Sequence, residues 1–273
     1  MAQIAITFDI ETLYGSPLGS GLNKQSLVRE VNHILQLCSD TDIKATFFVV
    51  GKLVSEYKEL IRSIAENGHE LASHSMSHTF FHKLNEEDIR HEILDSKKAL
   101  EDAAGVTVEG FRAPAWSICE HFQAHYYTCL KEAGYSYSSS VYPGKTPLYG
   151  IPAAKPQMHL SPEGIVEFPM PTLSIFGKRF GFSGGAFYRA LPDFIVKNAS
   201  KSFLRNNEQM FFYFHPYEFD VCDYSYISSI ATRMLIMYNR KQQTERIKEL
   251  IRAKHKYVAT MKTITGLLSC ATQ

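Results

Sequence analysis

Gly68-His69-Glu70-Leu71-Ala72-Ser73-His74-Ser75-Met76-Ser77-His78 is the stretch from which the fold is read. A turn glycine opens it, a short strand follows up to Ser73, and two imidazoles stand where that strand ends, spaced i and i+4. If the backbone makes a single turn there, both rings face one point, and that point can hold a metal ion. Open α/β sheets and barrels gather their strand ends at one edge and place their chemistry on it. Taken alone, two such histidines are more often solvated side chains of a surface turn than a ligand pair, so the flanking stretches decide.

Upstream of Gly68, residues 55–67 have a helical pattern for which that glycine is a natural C′ residue, and Lys44 to Gly51 reads as a strand. Before it, residues 25–38 place Leu27, Val31, Ile34, Leu35 and Cys38 on one helical face. A Gly/Ser/Pro-rich loop over residues 14–23 separates that helix from Ile4 to Phe8, an apolar, β-branched run suited to a central strand covered on both faces. Downstream, Asn85 caps a helix with an acidic first turn that runs to Ala104 and stops at Gly105. Val108 to Arg112 is the next strand, broken by Ala113-Pro114-Ala115-Trp116, and a helix to Ala133-Gly134 leads into a strand over residues 135–138. Strands separated by single helices imply right-handed crossovers and a largely parallel sheet.

From Ser139 to Gly185 prolines, glycines and aromatics dominate, and only residues 164–168 and 172–176 look like strands, so the middle is an irregular insertion of about 139–190. Regular structure resumes with a helix near 191–206, the strand Met210-Phe211-Phe212-Tyr213-Phe214, a charged helix around 239–253, a strand at 257–260 and a last short helix. At 273 residues and 31.0 kDa the chain suits one barrel-sized domain, taken here as 1–273. A formal charge of +1 gives no global reason to expect nucleic acid. Five cysteines without C-x-x-C spacing suggest neither a disulfide framework nor a cysteine zinc site. With no signal-peptide pattern at Met1 and no apolar run long enough to span a bilayer, the expected setting is the cytoplasm; oligomeric state is left open.

The first strand ends at Asp9-Ile10-Glu11. Residues i and i+2 of an extended chain point the same way, so the two carboxylates emerge side by side, a costly arrangement unless something positive lies between them. Four strand ends thus carry polar groups to one edge: Asp9 and Glu11, His74 and His78, Arg112, and His215. Two histidines and a carboxylate are a common ligand set for a catalytic divalent metal, a second carboxylate can serve as base, a histidine opposite can serve as acid, and an arginine can orient the base. The layout is that of metal-assisted hydrolysis.

These residues resemble the polysaccharide deacetylases of carbohydrate esterase family four, the nodulation-factor deacetylase homology group. T-F-D-I-E at 7–11 is similar to the family's T-F-D-D motif, H-S-M-S-H at 74–78 to H-[S/T]-x-x-H, and R-A-P-A at 112–115 to R-x-P-x. F-R-A-P-A-W-S, E-F-P-M-P-T, F-S-G-G-A-F-Y-R and F-H-P-Y-E-F-D resemble the branch associated with exosortase and exopolysaccharide gene clusters. The resemblance implies a distorted (β/α)7 TIM-like barrel and a metal-dependent N-deacetylase of a glycan or glycolipid precursor, with one divalent metal, expected to be zinc, per chain. Carried over by position, Asp9 is the base, Glu11, His74 and His78 the ligands, Arg112 the residue that orients Asp9, the Ala115 N–H an oxyanion donor and His215 the general acid. Two positions depart from the family. Ile10 occupies the place of the usual second aspartate, which makes Glu11 the carboxylate ligand, and Ser138 stands where relatives often carry aspartate. Other readings are hydrolysis of another C–N bond, such as an N-formyl group or a cyclic amide, and a non-catalytic glycan-binding relative. Trp116, the only tryptophan, reads either as a core residue or, just after a strand end, as a platform for a sugar ring, and the glycines within residues 182–188 suit either a plain turn or a loop over substrate.

Overall fold

A computed structural model of the chain describes residues 3–12, 24–146, 150–206, 209–219, 242–254 and 258–271, with positions 230, 234, 238 and 239. The fully buried strand read from the N-terminal sequence is β1 (Gln3–Ile10). It lies between β2 (Thr46–Val49) and β10 (Gln209–Phe214), and β3 (Glu70–Ser73), β4 (Gly110–Phe111) and β5 (Tyr137–Ser138) follow outward from β2. Beyond β5 come β7 (Val166–Glu167) and β6 (His159–Leu160), which completes an eight-stranded sheet. Every pairing is parallel except β6 with β7. The expected seven parallel strands of a distorted (β/α) barrel are therefore present, with one antiparallel strand added at an edge. The chain after β9 (Lys178–Gly181) reaches the outer edge of β10 through a bridge between Gly184 and Tyr213.

Period-2 alternation sorts the sheet's two faces. Ile4, Ile6, Phe8 and Ile10 of β1 and Met210, Phe212 and Phe214 of β10 join the larger core under the helices α1 (Lys24–Asp40), α2 (Val54–Glu66), α3 (Glu86–Ala104) and α4 (Gln123–Glu132). Ala5, Phe211 and Tyr213 point the other way, into a smaller cluster with Phe48, Ala72, Trp116 and Tyr137. Thr7 and Asp9 share that inner side, and both reach Arg112. The last helix, α8 (Met261–Ala271), plugs this interior, since Met261 and Ile264 belong to the inner cluster and the Met261 N–H donates to Thr46 Oγ1 at 2.9 Å. Parallel registry (Phe8 with Phe47 and Phe214, Ser73 with Phe111, Phe111 with Ser138) brings the C-terminal strand ends to one rim.

The helix signals act as expected at α3, where Asn85 Oδ1 accepts the Asp88 N–H at 2.9 Å and Gly105 adopts φ 70°. Several elements differ from the sequence reading. Strands β4 and β5 are two residues each, β6 and β9 were not foreseen, and the expected strand at 257–260 reduces to a bridge between Val258 and Ile4. The helix expected at 191–206 is α6 (Asp193–Asn206), a further short helix, α5 (Gly185–Ala190), precedes it unforeseen, and the charged helix, α7, begins only at Gln243 and runs to Lys254. The loop expected over 14–23 falls outside the described residues. No helix among the described residues is long and apolar enough to cross a membrane.

Candidate metal centre and catalytic cleft

The rim gathers the residues given catalytic, ligand or substrate roles in the sequence. Asp9, Glu11, His74, His78, Ala115, Trp116 and His215 line one cavity of about 390 Å³, with Arg112 fully buried behind it. The histidine loop is not a regular turn: Ser75 and His78 have φ of 65° and 63°. Glu92 of α3, a residue not foreseen, holds the loop in this shape by accepting the Met76 and Ser77 N–H groups, each at 2.8 Å, and Ser75 O and Met76 O accept from Gly51 and Lys52 at 2.9 Å. Ala115 and Trp116 also lie at positive φ, both 54°. Left-handed conformations cost non-glycine residues of order 1–3 kcal/mol each, and four of them around one cavity mark a site whose geometry the fold enforces.

Glu11, His74 and His78 each offer a ligand atom, all within 4.8 Å of one another. Glu11 Oε2 contacts His78 Nε2 and lies 3.7 Å from His74 Nε2, and Asp9 Oδ2 stands 4.0 Å from the same nitrogen. His74 Nδ1 is 2.8 Å from the Arg112 carbonyl, which can only accept, so Nδ1 carries the proton and the Nε2 lone pair turns inward. Two imidazole nitrogens and a Glu11 carboxylate oxygen thus converge in a largely buried place, the donor set of a divalent cation, with Asp9 beside them. Burial opposes the charge on Glu11, but His78, His74 and His215 outweigh it and hold its carboxyl well below the usual carboxylate range. Burial also pushes the His78 ring down, and the Glu11 carboxylate reverses the sign, leaving it above its ordinary value. The residues present fit a metal ion.

Asp9 is tied differently from Glu11. Its Oδ1 accepts from Arg112 Nη1 at 2.6 Å, an ion pair with both side chains at most 2% exposed. Arg112 is fixed in turn by Thr7 Oγ1 at 2.9 Å, by Ser139 Oγ at 3.2 and 3.3 Å, and by the Phe48 ring, 3.9 Å from its guanidinium carbon. Buried Glu167 orders the Ser139 segment by accepting the Ser140 and Val141 N–H groups at 2.7 and 2.9 Å. Ser138, the second departure, bonds Tyr126 Oη at 2.8 Å and takes no part in the cavity. The Ala115 N–H donates to no acceptor among the described residues, and Ala115 lines the cavity. Trp116 is only 6% exposed, with its ring edge-on to Tyr213 at 4.5 Å and parallel to Phe211 at 6.3 Å, so it is a packed wall of the cavity as well as a core residue.

His215 stands across the cavity with Nε2 3.9 Å from Glu11 Oε1. Its Nδ1 lies 2.7 Å from Glu218 Oε1, and the other Glu218 oxygen is 2.9 Å from both Arg189 Nη1 and Gln243 Nε2. Burial opposes charge on both members of the His215–Glu218 pair; Arg189 and His215 draw the Glu218 carboxyl down, and the bond to Glu218 lifts the His215 ring above its ordinary value. Glu218 and Arg189 lie within F-H-P-Y-E-F-D and F-S-G-G-A-F-Y-R, but nothing in those stretches alone points to either as a site residue. The paired glycines serve this contact. Gly184 packs so close to β10 that a Cβ would strike the Tyr213 carbonyl, and Gly185 turns at φ 54° into α5, which delivers Arg189 to Glu218. That segment is fastened to the sheet and is not a free cover over substrate; only Phe187 of it reaches the cavity.

Comparison with known proteins gives two family matches, "Polysaccharide deacetylase" over residues 2–138 and "Domain of unknown function (DUF3473)" over residues 139–265. A peptidoglycan-N-acetylglucosamine deacetylase of Bacillus cereus is 31% identical over 88 residues, covering 32% of this chain and 32% of that protein. A chitooligosaccharide deacetylase of Sinorhizobium fredii is 31% identical over 87 residues, covering 31% and 40%. The chain thus spans well under half the length of these curated relatives. Among solved structures, a candidate polysaccharide deacetylase from Mycobacterium smegmatis superposes with a TM-score of 0.62 at 20% identity, covering 98% of this chain and 90% of that one, a likeness of fold.

Proposed function

The chain belongs to the polysaccharide deacetylase family, and from that premise we propose that its cleft removes the N-acetyl group from an amino sugar of a glycan or glycolipid precursor. One observation carries this reading: a Glu11–His74–His78 ligand set flanked on one side by the Arg112-held Asp9 and on the other by the Glu218-held His215. A divalent ion held by Glu11, His74 and His78, on our reading zinc, would supply Lewis acidity at the acetamide carbonyl and make nearby water a stronger acid. Asp9 takes the proton of the attacking water, since its Oδ1 is fixed by Arg112 and its Oδ2 faces the ligand cluster. The free Ala115 N–H receives the oxyanion. His215 gives its Nε2 proton to the departing amine, while Glu218 holds Nδ1 and so keeps the ring protonated and aimed. Arg112 and Glu218 act through Asp9 and His215 and are positioning residues. Trp116 and Tyr213 form the wall against which the sugar lies. The sheet uses strands from both family matches, which supports a single catalytic domain over 1–273.

The test is amine release from N-acetylated oligosaccharides. Stripping metal with a chelator is expected to abolish release and added zinc to restore it; a chelator-resistant activity sinks the reading. Within the site, Glu218→Gln is expected to lower turnover by about 10²-fold, the scale of a displaced general acid, with KM and bound metal unchanged. Loss of metal in that variant would show that Glu218 supports the ion and not His215. A cytoplasmic place of action is part of the proposal, and fractionation that finds the protein in the periplasm or medium would contradict it.

A further inference from the structure

The β8 (Thr172–Ile175) and β9 strands form a hairpin apart from the main sheet. Ile175 pairs with Lys178, so Phe176-Gly177 is a two-residue turn, and both residues have positive φ, 49° and 74°. This is a type I′ turn, whose first position favours Asn, Asp or Gly. Phe176 breaks that preference and is also 101% exposed, with Ile175 at 44% beside it. A turn residue that is both conformationally disfavoured and apolar in water gains nothing from packing, and a local rule broken without internal compensation points to a partner outside the chain.

Charge says which partner. Residues 139–162 and 168–192 contain no Asp or Glu, in a chain whose net charge is only +1. Of the cations there, Arg179 is spent on the carbonyls of Pro143, Pro152 and Ala154 at 3.0–3.1 Å, tying the hairpin base to that segment, and Arg189 is paired with Glu218. Lys145 and Lys178 are exposed and form no ion pair among the described residues. Both line a cleft of about 650 Å³, and Tyr142 and Thr146 belong to this cleft and to the catalytic cavity alike. An acid-free, lysine-bearing surface around an apolar tip matches an anionic lipid interface, where apolar insertion and attraction to headgroup phosphates add.

We propose that the β8–β9 hairpin docks the protein on an anionic phospholipid surface, with Phe176 and Ile175 in the interface and Lys145 and Lys178 on headgroup phosphates. The catalytic cavity then opens beside the membrane plane, and its substrate is a lipid-linked amino-sugar glycan. Only this last step rests on the deacetylase reading.

Flotation of the full chain with phosphatidylcholine vesicles, with and without phosphatidylglycerol, tests the docking without any turnover. The wild type is expected to float only with the anionic vesicles. Phe176→Asn, a better turn residue, is expected to weaken partition by about tenfold, the worth of one aromatic side chain in lipid. Lys145→Glu with Lys178→Glu is expected to abolish it. Phe176→Asn should leave KM and kcat on a water-soluble N-acetylated oligosaccharide unchanged and its melting temperature no lower. The proposal is overturned if the wild type ignores anionic vesicles, if Phe176→Asn binds them as well as the wild type, or if that variant raises KM without lipid, which makes Phe176 a sugar platform. Dissociation of a wild-type dimer by Phe176→Asn would assign the tip to a second copy and overturn it too. A protein that floats but releases no amine from any N-acetylated sugar would refute the deacetylase reading and leave the docking intact.

Discussion

His74→Ala is expected to strip most of the bound metal and all measurable amine release while leaving the chain folded. The ring reaches the ligand cluster through Nε2 and is anchored through Nδ1 on the Arg112 carbonyl, so the substitution removes a ligand and frees one backbone acceptor without opening the main core. Elemental analysis of purified protein, beside circular dichroism and a melting curve, makes the check. Undiminished metal in a folded His74→Ala protein means that the ion sits elsewhere.

Asp9 and Glu11 are expected to fail in different ways although they emerge from the same strand end. Glu11 Oε2 touches or approaches both imidazoles, whereas Asp9 commits Oδ1 to Arg112. Asp9→Asn keeps size and a hydrogen bond to Arg112 but cannot take a proton, so turnover should fall by roughly 10²-fold or more with metal retained. It also leaves the fully buried Arg112 without its counter-charge, and a lowered melting temperature is expected alongside. Glu11→Gln should instead weaken metal affinity, with activity partly recovered in excess zinc. Bound metal and amine release, each measured with and without added zinc, separate the two. Metal lost from Asp9→Asn but kept with full activity in Glu11→Gln would exchange the roles.

Local regularity carried much of this into the sequence. The apolar run of β1, the Asn85 cap and the Gly68 and Gly105 stops are chemistry of neighbours in the chain, and they place strand ends at one rim before any tertiary contact is known. Period 2 alone put Asp9 and Glu11 on one side, and both line the same cavity. Tertiary structure decided what periodicity cannot encode. Strands of two residues, such as β4, β5 and β6, are too short to show a pattern and exist because a neighbouring strand supplies their hydrogen bonds. The Phe176 turn carries none of the usual turn residues at its first position, so β9 escaped notice. The carboxylate that holds His215 and the arginine that holds that carboxylate are 29 positions apart in sequence, as Glu218 and Arg189, and meet only because Gly184 lets α5 approach β10. A buried ion pair between distant residues leaves no trace in composition or spacing, since each partner is acceptable there only when folding has brought the other within reach.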